Sequence, residues 1–369
     1  MNILRVAADL YPSSVGGLGI HIHEMSRGQA ALGNDVTVYT TNLDHSPEEE
    51  FVSGYHVRRF KPIFELFGNA LSLSMLPALM KNKNRFDVMH AHSHLFFSTN
   101  LCSILETMDS SVPFVVTSHG LIPASGPDWL HKVYIPTVGK FVFNSADRIL
   151  CYTEEEKARL KKEAGVRSKI SVVHNGINTD LFHPKKDKKQ TNRLLWIGRF
   201  TRGKGLDYLI DAFGVLSQKY PKLHLLLIGD GPEKSNILDK ISKLSIENRV
   251  IMRDFCPNSR LCEVYNSSDI FILPSFEEGV PRTIMEAMAC GVPVICTELP
   301  HLVEMIKDVG ITIPVKDSDA IVDAVSEIYS DPKLAEQFGI NGRNKAVEKY
   351  SWSDTVLRTI DVYEDLIGE

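Results

Sequence analysis

Ile270-Phe271-Ile272-Leu273-Pro274-Ser275-Phe276-Glu277-Glu278-Gly279-Val280-Pro281-Arg282-Thr283-Ile284-Met285-Glu286-Ala287-Met288-Ala289 is the stretch on which the fold turns. Its first four residues are apolar throughout, without the alternation of a half-exposed strand. They predict a strand buried on both faces of a parallel sheet. Gly279 and Pro281 then mark a loop entering a helix, with Pro281 suited to the first helical position. The loop sits at a strand's carboxyl end, where open α/β sheets take their ligands. Free N–H groups at such a helix start suit the oxygens of a polar ligand or a phosphate. Glu278 in the loop and Glu286 about two turns into the helix can address one ligand at different heights. A carboxylate is the group that accepts two adjacent hydroxyls. A glutamate favoured by the helix dipole and another on a solvated face would give the same pattern.

The same alternation extends in both directions. Further apolar runs are Ile3–Ala7, Asp35–Thr40, Val88–Ala91, Phe114–Thr117, Arg148–Cys151 and Ile170–Val173, then Arg193–Ile197, His224–Ile228, Arg249–Met252, Val292–Cys296 and Gly310–Ile313. Helical patterns lie between them, such as Leu206–Tyr220 with Leu206, Leu209, Ile210, Phe213 and Leu216 on one face. Repeated βα units make the class α/β. With 369 residues the chain is longer than one core usually grows. The charged run from Phe182 to Asn192 cannot enter a core and reads as a linker. The expectation is two Rossmann-like, doubly wound parallel-sheet domains, residues 1–182 and 183–350, with six strands each and one cleft between them. Residues 351–369 form a terminal helix with Ser353 as its N-cap.

Composition narrows the partners. A formal charge of −5 gives no electrostatic reason to expect nucleic acid. Six cysteines with no C-x-x-C pair read as reduced thiols of a cytoplasmic protein. The start Met1-Asn2-Ile3-Leu4-Arg5 lacks the pattern of a signal peptide, and no apolar run reaches transmembrane length. Phe64 to Arg85, ending in Lys81, Lys83 and Arg85, reads as a core-packing helix leading into the next strand. The other reading of that stretch is an interfacial helix in peripheral contact with a membrane.

Gly198-Arg199-Phe200-Thr201-Arg202-Gly203-Lys204-Gly205 follows a strand and nearly matches the phosphate loop G-x-x-x-x-G-K-[ST]. Gly205 stands where a hydroxyl would hold magnesium. The segment therefore reads as a diphosphate clamp built from cations alone. His90, His92 and His94 fall on one side of an extended segment, the arrangement a metal site uses. No second ligand pattern follows them, so they read as histidines at a strand end and no metal is expected. His119 closes the strand Phe114–Thr117 and reads as a functional residue on position alone. The loop around Gly16 and Gly17 is glycine-rich but lacks G-x-G-x-x-G, which disfavours a dinucleotide enzyme.

Taken in order, these segments resemble the family-4 retaining glycosyltransferases of the GT-B fold. The resemblance rests on the Gly16-Gly17 loop, His119, His174-Asn175-Gly176-Ile177-Asn178 with Phe182, Gly198-Arg199 with Lys204-Gly205, and Glu278 and Glu286 as the E-x7-E signature. It implies transfer of a hexose-type sugar from a nucleotide diphosphate sugar to a carbohydrate or lipid-linked acceptor. In such enzymes the C-terminal domain binds the donor and the N-terminal domain the acceptor. Arg199 and Lys204 would hold the diphosphate, Glu286 the ribose, and Glu278 with the amides of Gly279, Val280 and Pro281 the transferred sugar. Arg253 would lie near the base, Gly16 and Gly17 near donor and acceptor, and His119 would approach the sugar. The resemblance implies no cofactor and no metal. A nucleotide-sugar epimerase or a binding protein without turnover on the same scaffold are the alternatives.

Overall fold

The computed structural model describes residues 1–8, 10–11, 17–43, 46–66, 69–120, 133–185 and 191–368. The chain divides into two compact units, Met1–Gly176 with Trp352–Glu369, and Ile177–Ser351. The division precedes the expected boundary at 182 because Ile177 and Phe182 are fully buried in the second unit's core.

The first unit is built on β1 (Asn2–Val6), β2 (Asp35–Thr41), β3 (Glu49–Val52), β4 (Tyr55–Phe60), β7 (Val88–His92), β8 (Phe114–Thr117), β9 (Arg148–Cys151) and β10 (Lys169–Val172). They form one sheet ordered β10-β9-β8-β7-β1-β2-β4-β3, parallel except for β3 on β4. The apolar runs predict six strands here. The two additional strands, β3 at the edge and β4 beside it, lack the continuous apolar run of the other strands: β3 is mostly exposed, and Tyr55 and Val57 alternate with the less buried His56 and Arg58 in β4. A separate antiparallel pair, β5 (Phe64–Leu66) and β6 (Asn69–Leu71), precedes α2 (Met75–Asn82). That helix sends Met75, Ala78 and Leu79 into the core. Lys83, one of the cations expected at the surface end of this stretch, is buried and paired with Glu106 at 3.0 Å. Among the described residues, no helix is long and apolar enough to cross a membrane.

Other helices of this unit include α1 (Gly17–Ala31), α3 (Phe97–Met108), α4 (Lys140–Ser145) and α5 (Glu154–Glu163). The terminal helix, Trp352–Gly368, also belongs to it and packs on α1, where Met25, Trp352 and Val356 form a cluster. It begins one residue before Ser353, which therefore lies inside its first turn. Ser351 is held in extended pairing with Ile177 up to that point.

The second unit carries β11 (Arg193–Ile197), β12 (His224–Ile228), β13 (Val250–Arg253), β14 (Ile270–Leu273), β15 (Val294–Thr297) and β16 (Gly310–Ile313), all parallel, in the order β13-β12-β11-β14-β15-β16. Successive residues of a strand point to opposite faces, and here both faces are covered. Ile270 and Ile272 of β14 enter one core with Leu209 and Phe213 of α6 (Leu206–Lys219). Phe271 and Leu273 enter another with Met285 and Met288 of α9 (Arg282–Ala289). The remaining helices include α7 (Lys234–Lys243), α8 (Asn258–Asn266), α10 (Pro300–Ile306), α11 (Ser318–Ser330) and α12 (Pro332–Lys349).

Candidate active site

In the second unit the strand order reverses between β11 and β14, which pair directly. At such a switch point the loops leaving the two carboxyl ends run apart and open a crevice. Two backbone contacts fix these loops to each other. Phe276 N donates to Gly203 O at 2.8 Å, and Gly205 lies against the Pro274 carbonyl. Gly205 has φ +67°, and a Cβ there would collide with that carbonyl oxygen. Only glycine allows this approach.

The result is to bring Lys204 and Glu278 together: Lys204 Nζ donates to Glu278 Oε1 at 2.5 Å. Glu278 is only 8% exposed as a side chain, against 27% for Lys204. The carboxylate is thus the inner partner and the ammonium the outer one.

Glu286 is more deeply placed. The helix starts at Arg282, with Pro281 extended at ψ 113° just before it, so Pro281 is the N-cap and not the first helical residue. Glu286 is 4% exposed and its Oε2 accepts from the Tyr265 hydroxyl of α8 at 2.8 Å. Arg282 Nε lies 3.9 Å from Oε1. Burial pushes the carboxyl above its usual range, opposed by Arg282 and by the tyrosine hydrogen bond. The solvated-face reading of Glu286 does not apply.

The other expected residues are placed each within its own unit. Arg199 is exposed where the loop leaves β11, and its side chain makes no ion pair among the described residues. Gly279 has open space around its Cα, and Val280 packs on the core. Arg253 is exposed at the end of β13 and fixes that end through its carbonyl, which accepts from Gly229 N at 2.9 Å. Gly16 lies outside the described residues, and Gly17 is the exposed first residue of α1.

In the first unit the order reverses between β1 and β7, and there the histidines collect. His90 and His92 stack with centroids 4.3 Å apart, as their spacing predicts. His94 does not join them. Ser93 has φ +66°, which turns the chain, and His94 packs on Phe143 instead. His21 of α1 and His119 after β8 take its place beside His92.

A chain of hydrogen bonds fixes the protons in this cluster. Arg5, fully buried, donates from Nε to His92 Nε2 at 3.2 Å. Burial first, then His90 and Arg5, hold His92 neutral, so its one proton lies on Nδ1. His92 Nδ1 therefore donates to His119 Nε2 at 3.2 Å. Burial first, then His21 and His94, hold His119 neutral, and it donates from Nδ1 to the Tyr152 hydroxyl at 2.8 Å. Both nitrogens of His119 are engaged within its own unit. Neither Arg5 nor Tyr152 carries a local sequence signal that marks it as part of a site, whereas His21 stands out in the sequence as one of a pair of histidines with His23.

His21, His92 and His119 bring ligand-capable nitrogens within 4.8 Å of one another. The set does not fit a cation as it stands. His92 gives Nε2 to a guanidinium and keeps its proton on Nδ1, so neither nitrogen has a lone pair to offer.

The sequence of both units matches known families. Residues 15–181 match glycosyltransferase family 4, and residues 178–345 match the glycosyl transferases group 1. An uncharacterized glycosyltransferase of Methanocaldococcus jannaschii is 27% identical over 99% of this chain and 98% of its own length. An alpha-maltose-1-phosphate synthase of Mycolicibacterium smegmatis is 24% identical, covering 98% of this chain and 99% of its own. Among solved structures, Anabaena HepE in complex with UDP aligns with a TM-score of 0.80 over 99% of this chain and 100% of that one. At 16% identity that likeness is one of fold.

Proposed function

The chain belongs to the family-4 glycosyltransferases of the GT-B fold, and on that premise we propose that it transfers a hexose-type sugar from a nucleotide diphosphate sugar to an acceptor hydroxyl with retention of configuration. The acceptor is a carbohydrate or a lipid-linked sugar, bound by the first unit, and the donor is bound by the second. The observation that carries this reading is the Lys204–Glu278 pair at the carboxyl ends of β11 and β14. One cation and one carboxylate there suit a ligand that is anionic at one end and rich in hydroxyls at the other. UDP in the Anabaena protein supports a nucleoside diphosphate as that ligand.

Arg199 and Lys204 hold the diphosphate without a metal, and Glu286 takes the ribose hydroxyls. Glu278 with the amides of Gly279, Val280 and Pro281 holds the sugar, while Arg253 lies toward the base. Gly16, Gly17 and His119 serve the sugar and the acceptor, His119 by giving up its bond to His92 or to Tyr152 for one to the ligand. Glu278 is bound to Lys204 and Glu286 to Tyr265, which favours neither as a nucleophile on the anomeric carbon. A front-face displacement follows. The bond from the anomeric carbon to the diphosphate oxygen breaks, the acceptor oxygen bonds to that carbon from the same side, and its proton passes to the departing diphosphate. Fixed positive charge on the leaving group supplies the stabilisation.

Incubating the protein with UDP-, GDP- and ADP-hexoses and a panel of oligosaccharide acceptors tests the reading. Release of nucleoside diphosphate together with an α-linked product from an α-donor is expected. Binding without release would make the protein a carrier of sugar nucleotides, and a β-linked product would overturn retention.

A further inference from the structure

The buried surroundings of Glu286 contain two groups that no sequence motif marks. Tyr265 is fully buried between Phe182 and Phe271, with ring centroids 6.1 and 5.7 Å away. Core packing fixes its ring, and its hydroxyl donates to Glu286 Oε2 at 2.8 Å. Arg282 opens α9 one turn before Glu286, its side chain 15% exposed. Its Nη1 is buried without a hydrogen-bond partner. A buried guanidinium nitrogen left unpaired is costly unless a ligand or its neighbouring carboxylate compensates it.

We propose that Tyr265 and Arg282 are positioning residues that hold Glu286 ionised and turn one of its oxygens toward the nucleotide's ribose. This rests on the reading of Glu286 as the ribose ligand. The geometry gives each neighbour a separate task. Tyr265 occupies Oε2 from inside the core, which fixes the plane of the carboxylate and leaves Oε1 to face outward. Arg282, 3.9 Å from Oε1, is too distant to saturate it, so it contributes charge and leaves Oε1 able to accept from a hydroxyl. Burial alone would favour the protonated acid, and a carboxylic acid would give up the acceptor that a ribose diol needs. The charged or titratable groups acting on Glu286 are Arg282 and Tyr265, and Cys290 acts in turn on Tyr265.

The sign of the pH effect follows. Removing the tyrosine hydroxyl removes a hydrogen bond to the charged form, so the Glu286 carboxyl rises further. Nucleotide binding is then lost at a higher pH as the solution is acidified. A purely structural tyrosine would lower the melting temperature and leave that midpoint in place.

The experiment measures affinity for UDP, GDP and ADP by calorimetry between pH 5 and 8.5, and proceeds with the tightest. Tyr265→Phe should weaken binding about tenfold at neutral pH and shift the acid midpoint upward. Arg282→Gln, which leaves the tyrosine in place, should shift it in the same direction. In a Glu286→Gln background, Tyr265→Phe should have no further effect on affinity, because the charge it supports is gone. If Glu286→Gln binds nucleotide as well as the wild type, or no nucleotide binds the wild type, the ribose reading falls and the proposal with it. If Glu286→Gln loses affinity while Tyr265→Phe keeps both the affinity and the midpoint, the proposal alone is overturned.

Discussion

Lys204 and Glu278 are each other's partners before any ligand arrives, with Nζ and Oε1 2.5 Å apart. The cation proposed for the diphosphate and the carboxylate proposed for the sugar therefore begin as an ion pair. On the proposed roles, a nucleoside diphosphate competes with Glu278 for the Lys204 ammonium, and weakening that bond frees the carboxylate to accept the sugar's hydroxyls. Such competition would couple the two halves of the proposed donor.

Glu278→Gln should accordingly separate the two halves. Lys204 no longer has a charged competitor, so the bare nucleoside diphosphate should bind at least as tightly as to the wild type. The nucleotide sugar should lose the carboxylate's hydrogen bonds and bind less tightly. Calorimetry with both ligands decides it. A variant that loses both affinities equally would show that the pair acts only to hold the loops.

Lys204→Ala should act mainly on turnover. Negative charge on the departing diphosphate grows toward the transition state, so the ammonium is worth more there than in the ground state. Loss of such a contact costs about 2–4 kcal/mol, on the order of a hundredfold or more in kcat. Steady-state kinetics giving a raised donor KM with an unchanged kcat would contradict the leaving-group role.

The histidines of the first unit make its stability dependent on pH. Burial holds His90, His92, His94 and His119 below the usual imidazole range, His94 down to about 3. Their folded values lie under the unfolded value of about 6.5. The unfolded chain therefore takes up protons first. Stability is full above about pH 6.5 and is lost below it, by roughly 1.4 kcal/mol per pH unit for each such histidine. His94 is the cleanest probe, because neither ring nitrogen has a hydrogen-bond partner among the described residues. His94→Leu should raise the melting temperature at pH 5 more than at pH 8. Equal shifts at both pH values would mean that His94 takes up its proton in the folded protein as readily as in the unfolded chain.

The parallel sheets are legible in the sequence because their inner strands are buried on both faces, and such strands are apolar without interruption. Where one face meets solvent, as in Tyr55–Phe60, buried and less buried residues alternate, so the continuous apolar run that marks the inner strands is missing. At the site, Lys204 and Glu278 can be read because each lies in a loop just past a strand, where spacing constrains position. Tyr265 cannot, because its tie to Glu286 joins two helices through the core and leaves no mark in either segment. Arg5 is invisible for a related reason. It sits in the apolar run of β1, and only the fold shows that it directs the protons of His92. His94 groups with His90 and His92 only if a spacing of two runs along a straight strand, and the turn at Ser93 ends it.

Activity should survive an excess of chelator. The proposed clamp neutralises the diphosphate with Arg199 and Lys204, and in the histidine cluster of the first unit the lone pair of His92 is spent on Arg5 and that of His119 on His92. Assays with and without EDTA, followed by added magnesium or manganese, measure this directly. A rate that collapses with EDTA and returns with metal would require a cation in the clamp.

Gly205 is the position at which the loop departs from the phosphate loop of nucleotide hydrolases. If glycine there were only a missing hydroxyl, Gly205→Ser would restore a magnesium ligand and could make the reaction respond to the metal. The structure gives a different expectation. Gly205 has φ +67°, a backbone conformation that residues with a Cβ rarely adopt, and a Cβ would strike the Pro274 carbonyl oxygen. That carbonyl leaves β14 toward the Glu278 loop, and the neighbouring hydrogen bond from Phe276 N to Gly203 O ties the same two segments. A serine must therefore push the two loops apart, and with them Lys204 and Glu278. The variant should melt at a lower temperature, lose affinity for nucleoside diphosphate and show no rate increase on adding magnesium. Gly203→Ser is the control, since open space surrounds a Cβ at that position and it should fold and bind almost as the wild type does. A Gly205→Ser protein of normal stability that gained magnesium-dependent turnover would show that glycine is there to exclude the metal and not to let the loops meet.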